Sequence, residues 1–440
     1  MKSLHLLLHV LVVVIFTYSY ADPRQSDINY FLEKSGIRKT KYQPQKARNG
    51  KLLVTNLDNG RDIWVLLRQM LLNRAASNWP RLYRSNWEQG KIQKPRKWYQ
   101  FPCQINGTRS TVRPSSVDEL KPGDIDVIAA IGDSLSAGNG AISETVLDIL
   151  TEFRGVTFSG GGMADWRTTL TLPNILKVFN PNLYGFSTSD VVAVDRQSYL
   201  NIAEPMIMSR DLVYQVQILI QRMRRDPRID MNTHWKLLTI FVGNNDICSD
   251  MCHHDNLWKF LQLHERDLRN AFTLLRNHIP RLVVNLIPAP NMVSTLHKMQ
   301  NIPLVCQAVH SAACHCVFSQ RYSKKYLRTI SEFIIRWQHV DAYVASLPEF
   351  YTKDFVVLFQ PFTANVSLPT KPNGDTDLRF LASDCFHFSQ LGHAAAANEL
   401  WNNMLQPPGQ KESYFTEPFL RFECPTNQKP FIATYKNSFK

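Results

Sequence analysis

Beyond its first twenty or so residues the chain lacks any apolar run approaching the ~20 residues a bilayer-spanning helix requires. Its end, Ala433-Thr434-Tyr435-Lys436-Asn437-Ser438-Phe439-Lys440, is polar and lacks the hydrophobic end of a GPI signal. There is no internal repeat and no long low-complexity segment, which argues against a solenoid and against a mostly disordered chain. Acidic residues are in deficit, with 37 Asp and Glu against 50 Lys and Arg, a formal charge of +13. Such an excess attracts anions. No nucleic-acid-binding motif accompanies it, so nucleic acid is not the expected partner; peripheral contact with an anionic membrane surface and simple solvation of a basic surface are the two readings left open.

What is present fits a globular enzyme. The 440 residues are 44% hydrophobic and 20% charged, enough for one large core with extensions. Residues 1–21 combine Lys2, an apolar stretch over 4–16 and small residues before Ala21. That pattern reads as a cleaved signal peptide and implies a secreted, extracellular protein. The eight cysteines, Cys103, Cys248, Cys252, Cys306, Cys314, Cys316, Cys385 and Cys424, are an even number beyond that segment and are expected to form disulfides. Cys248 with Cys252 is a plausible local bridge, and Cys385 is expected to tether its loop to a distant segment. Zinc could instead use Cys248, Cys252, His253, His254 and Asp255, or Cys314-His315-Cys316, but export favours disulfides. Asn106-Gly107-Thr108 and Asn365-Val366-Ser367 are glycosylation triplets of the kind found on surface loops.

Chemistry concentrates in three places. Residues 126–131 form a short apolar run that breaks into Gly132-Asp133-Ser134-Leu135-Ser136-Ala137-Gly138, the pattern of a buried strand ending in a tight turn. A serine there sits at the strand's C-terminal end, where α/β sheets place ligands, and needs a base to become a nucleophile. Late in the chain, Ser383-Asp384-Cys385-Phe386-His387 supplies a histidine three residues after an acid, so that one short loop could carry base and orienter. Between them, strand-like residues 235–242 end in Gly243-Asn244-Asn245-Asp246, an amide-bearing turn. Taken singly, each has a bland reading: an ordinary turn at Ser134, a helix cap at Asp384 or Ser389, and a turn former at Asn245. Their joint order, each behind a strand-like run, favours catalysis.

These blocks, with Phe101-Pro102-Cys103 and Leu172-Pro173-Asn174-Ile175, resemble the phospholipase B1 family of the GDSL (SGNH) hydrolase superfamily over roughly residues 99–425. The resemblance implies Ser134, Asp384 and His387 as a catalytic triad. It also implies an oxyanion hole made by the Ser134 backbone, Gly162 and Asn245. The chain departs from the family twice. Ser159-Gly160-Gly161-Gly162-Met163 lacks the acid that usually follows the glycines, which leaves Gly161 as the alternative donor. Asn244 replaces the second glycine of the third block and is expected to take the left-handed conformation that glycine adopts. The implied activity is removal of acyl chains from phospholipid or lysophospholipid substrates through an acyl-serine, by a monomer without cofactor or metal. A secreted carboxylesterase or lipase on other esters, or a catalytically idle lipid-binding protein, are the alternatives.

Helix-like patterns over 212–223, 257–277 and 326–337 alternate with strand-like runs over 237–242, 281–287 and 355–359. This implies an α/β/α sandwich with a mainly parallel central sheet. Residues 22–98 form a basic, partly helical N-terminal extension expected to pack on the core through 63–72, and 426–440 a polar tail.

Overall fold

The computed structural model describes residues 56–439 apart from His297 and residues 319–322. The expected signal peptide, 1–21, and the basic stretch from Lys34 to Lys51 lie outside the described residues. In chain order, the helices of the described residues are α1 (Asn56–Glu88), α2 (Ser134–Ala137), α3 (Leu172–Phe179), α4 (Leu212–Arg225), α5 (Leu257–His278), α6 (Met292–Thr295), α7 (Leu304–Ala313), α8 (His315–Phe318), α9 (Lys324–Ala345), α10 (Gln390–Leu405) and α11 (Tyr435–Ser438). None of them is long and apolar enough to cross a membrane.

Four strands, β1 (Ile125–Gly132), β2 (Trp235–Phe241), β3 (Leu282–Ile287) and β4 (Phe355–Phe359), form one parallel sheet in sequential order. Their residues are nearly all buried, which explains why they read as continuous apolar runs and not as alternating ones. Val127, Ala129 and Ile131 of β1 pack with Leu238, Ile240, Val284 and Val357 against α4, α5 and the end of α9. Ile125 and Ile128 pack with Leu237, Val283 and Val356 against α3 and α10 on the opposite face. Burial on both faces makes this the expected α/β/α sandwich. The free edge of β1 is covered by extended chain, with Ile128 N–H donating to Tyr184 O and Ala130 N–H to Leu200 O.

The N-terminal extension meets the core near the site. Ala75 and Leu82 of α1, with Ile92, pack on Ala141, Ile142, Phe153 and Val156. The final segment also docks, since Ile432 N–H donates to Leu120 O and Thr434 Oγ1 to Asp118 Oδ1. After α10 the chain folds back along that helix. Asn398 and Asn402 each donate to Arg421 O, and a disulfide joins Cys424 to Cys103. This satisfies polar residues in a helix buried almost throughout.

Candidate active site

Ser134 is the first residue of α2, directly after β1. Gly132 makes the break possible: its φ is +135° and a Cβ there would lie 2.1 Å from Phe241 O. Asp133 caps the short helix, accepting from Leu135 N–H at 2.9 Å, and left-handed Gly138 ends it. The Ser134 N–H has no acceptor among the described residues.

The loop carrying His387 folds into a narrow turn in which Ala382 N–H donates to His387 O. His387 Nε2 lies 2.8 Å from Ser134 Oγ, and its Nδ1 lies 2.6 Å from Asp384 Oδ2. Asp384 Oδ1 accepts the Phe386 and His387 N–H groups, each at 3.1 Å. An ionised carboxylate only accepts, so Nδ1 carries the ring proton and Nε2 presents its lone pair to the serine. Burial pushes the Asp384 carboxyl up, but the His387 charge and the bonds it accepts outweigh this and hold it below its ordinary range. Burial likewise disfavours the imidazolium, and Asp384 reverses this, raising His387 above its usual value. Ser389 caps α10 through Gly392 N–H, so Asp384 is free for the histidine.

Several groups hold that loop. Ser383 N–H donates to Ser143 Oγ, Ser383 Oγ donates to Thr145 O, and the buried Lys91 Nζ donates to Ala382 O at 3.2 Å. Cys385 sits at φ +56°, a left-handed conformation that is costly for a residue with a Cβ, and is cross-linked to Cys306. This is the tether expected from the sequence. The neighbouring His393 is not a second base. Burial drives its pKa down to about 3, and its Nδ1 accepts from Phe158 N–H.

Asn245 Nδ2 donates to Ile207 O at 2.9 Å, which fixes the amide and leaves its second N–H for another acceptor. The glycine turn is differently engaged: Gly162 N–H donates to Ser187 O at 2.7 Å and Gly161 N–H to Thr157 O at 3.1 Å. A Cβ on Gly162 would collide with the Phe186 ring at 2.1 Å, so the position has no room for a side chain. The structure therefore brings Ser134, His387 and Asp384 into direct contact, whereas the N–H groups of both candidate glycines already have acceptors.

Asn244 corrects one expectation. It is not left-handed; Gly243, at φ +107°, makes the turn. The Asn244 side chain instead enters the site, where Nδ2 donates to the buried Asp133 Oδ2 at 2.7 Å. Burial raises Asp133 to about 6 in spite of that bond. Sequence reasoning also missed a second serine–histidine–aspartate chain. Ser209 Oγ lies 2.8 Å from His264 Nδ1, and His264 Nε2 lies 3.0 Å from Asp341 Oδ1, all of them buried. Ser209 N–H bonds both oxygens of Asp246, next to Asn245, so this chain braces the amide turn without a nucleophile exposed to substrate. The three residues lie far apart in sequence, with no motif to flag them.

The expected Cys248–Cys252 bridge is also corrected, because Cys248 pairs with Cys314 and Cys252 with Cys316. Residues four apart on a helical turn face the same way, and here both face α8 and the residue preceding it. The zinc alternative gathers Cys252, His253, His315 and Cys316 with donor atoms within 4.8 Å, but both sulfurs are committed to a disulfide.

Comparison with known proteins adds to this geometry. Phospholipase B1, membrane-associated, from Homo sapiens is 37% identical over 369 residues, covering 81% of this chain and 25% of that protein. Its Mus musculus counterpart is 36% identical over 330 residues, covering 74% of this chain and 22% of that protein. The chain thus spans about a quarter of the length of these curated relatives. The extracellular lipase of Streptomyces rimosus matches with a TM-score of 0.33 at 13% identity, covering 63% of this chain and 98% of that one, a likeness too slight to argue from. The family model described as GDSL-like Lipase/Acylhydrolase matches residues 128–400, well over half the length and including Ser134, Gly162, Asn245, Asp384 and His387. The chain belongs to the GDSL-like lipase/acylhydrolase family.

Proposed function

We propose that this protein is a secreted serine hydrolase of phospholipase B type, which removes acyl chains from glycerophospholipids and lysophospholipids. The observation that carries this reading is the unbroken hydrogen-bonded chain from Asp384 through His387 to Ser134 Oγ. Ser134 Oγ attacks the ester carbonyl as His387 Nε2 takes its proton, and Asp384 orients the ring and stabilises the imidazolium. The developing oxyanion is received by the Ser134 N–H and the second Asn245 N–H, with Gly162, the third expected donor, holding its N–H on Ser187 O in this structure. His387 then returns the proton to the leaving alcohol, and water, activated by the same histidine, resolves the acyl-serine. None of these steps calls on a metal or cofactor.

Four disulfides are consistent with an oxidising, extracellular location, and both glycosylation asparagines are exposed. Peripheral membrane contact is supported by Lys94, Arg96 and Lys97 beside Trp98, which is 95% exposed, and Tyr99. Basic and aromatic side chains together suit a headgroup layer. The test is to incubate the purified protein and Ser134→Ala with phosphatidylcholine and lysophosphatidylcholine vesicles and measure released fatty acid. Serine-dependent release from both supports the proposal. Hydrolysis of soluble esters alone moves the protein to the general esterases, and lipid binding without product to the idle lipid-binding class.

A further inference from the structure

We propose that Cys252, His253, His315 and Cys316 form a redox-gated zinc site, closed as a disulfide in an oxidising medium and able to hold a Zn2+ ion once Cys252–Cys316 is reduced. The proposal is independent of the hydrolase reading. These residues come from two turns, Met251–His253 and the start of α8, which carry the same cysteine–histidine pair in opposite chain order. Their four donor atoms lie within 4.8 Å of one another, and the two imidazole Nε2 atoms are 3.0 Å apart. A tetrahedral zinc ion, with bonds of about 2.0 Å to nitrogen and about 2.3 Å to sulfur, spaces its ligand atoms about 3.3–3.8 Å apart. Small side-chain shifts therefore convert one arrangement into the other once the S–S bond is open.

Two disulfides join the same pair of turns, and they are not equivalent. Cys248 and Cys314 are both fully buried, whereas Cys252 is half-buried beside the exposed His253. The two bridges span 66 and 64 positions, so with one closed the other restricts the unfolded chain little further. Opening the outer bridge leaves the inner one holding both turns together, which keeps the four donors preassembled. In the reduction, an incoming thiolate attacks Cys252 Sγ and Cys316 departs as a thiolate. A second thiol of the reductant resolves the mixed disulfide, so that the reductant leaves as a disulfide, Cys252 is released as a thiolate and the thiol protons pass to solvent. The two thiolates neutralise Zn2+, and a neutral imidazole from each histidine completes the set. Cys252 N–H already donates to Cys316 Sγ at 3.3 Å, a bond that supports the sulfur as a ligand.

The test treats the full-length protein with graded phosphine reductant, removes it, maps new thiols by alkylation and mass spectrometry, and measures zinc retained after gel filtration. Cys252 and Cys316 are expected to appear as thiols while Cys248–Cys314 stays closed. That form should retain zinc at one ion per chain, and the oxidised protein none. Co2+ in its place should give the strong visible absorption of a tetrahedral thiolate site. His253→Ala, at an exposed position that does not threaten the fold, should lower zinc affinity at least about tenfold, since even the loss of a ligand's supporting partner costs that much. Opening of the inner bridge before or together with the outer one overturns the proposal. So does a reduced pair that takes up no metal, zinc retention by the oxidised protein, or binding unaffected by His253→Ala.

Discussion

Replacing Asn244 with the glycine that the family usually carries tests how the site tolerates a buried carboxylate behind its nucleophile. Asn244 is not left-handed, so glycine relieves no strain there. The variant loses the 2.7 Å bond to Asp133. A hydrogen bond to a charged group contributes about 1.5–3 kcal/mol, and one to a neutral group about 0.5–1.5. The bond therefore favours ionised over protonated Asp133 by about 1–1.5 kcal/mol, close to one pKa unit. Asp133 stands at about 6, above an ordinary carboxylate, so the native state holds its proton more tightly than the unfolded chain. The stability that comes from this preference is complete below the ordinary carboxylate value and lost as pH rises through 6. Asn244→Gly moves the native value further up, extending the loss to higher pH and deepening it. Urea unfolding of both proteins should show a penalty at pH 5 that grows by about 1–1.5 kcal/mol at pH 8. Equal penalties at the two pH values would refute the reasoning.

Asn245→Ala should lower kcat by about 10²–10³-fold, the usual loss for one oxyanion donor, with a normal near-ultraviolet dichroism spectrum verifying the fold. For the wild type, the acid limb of kcat/KM against pH should lie above 6.5, because Asp384 raises His387 and only the neutral ring accepts the serine proton. Asp384→Asn should reduce kcat by about 10⁴-fold and move that limb downward, since burial then acts on the ring unopposed; a limb that stays in place would contradict the assigned pairing. Replacing Cys306 and Cys385 together by serine should cost about 2–4 kcal/mol in thermal or denaturant unfolding. Turnover should also fall several-fold at temperatures where the variant is still folded.

Much of this architecture was legible in the sequence because its signals are local. The runs at 126–131, 235–242 and 355–359 are strands within two residues of the expected ends, since burial on both faces needs only unbroken apolar character. Ser134, Asp384 and His387 were recognisable because each lies in a turn whose neighbours are diagnostic. Whatever depends on contacts between distant segments was hidden. The Asn244 amide reads as a turn residue until β1 and β2 are aligned and Asp133 lies opposite it. Cysteine pairing followed the docking of two turns, not the shortest spacing. The hold of Lys91 on the catalytic loop spans 291 positions, and no periodicity encodes it.

The bond between Cys103 and Cys424 joins positions 321 residues apart. It turns almost the entire hydrolase region into a covalent ring, with its incoming and outgoing chain fastened at one point. Closing so large a loop restricts the unfolded chain by about 6 kcal/mol on the chain-entropy estimate. A protease that cuts a surface loop anywhere within the ring would open it without releasing a fragment. Damage of that kind would be invisible by size until the sample is reduced.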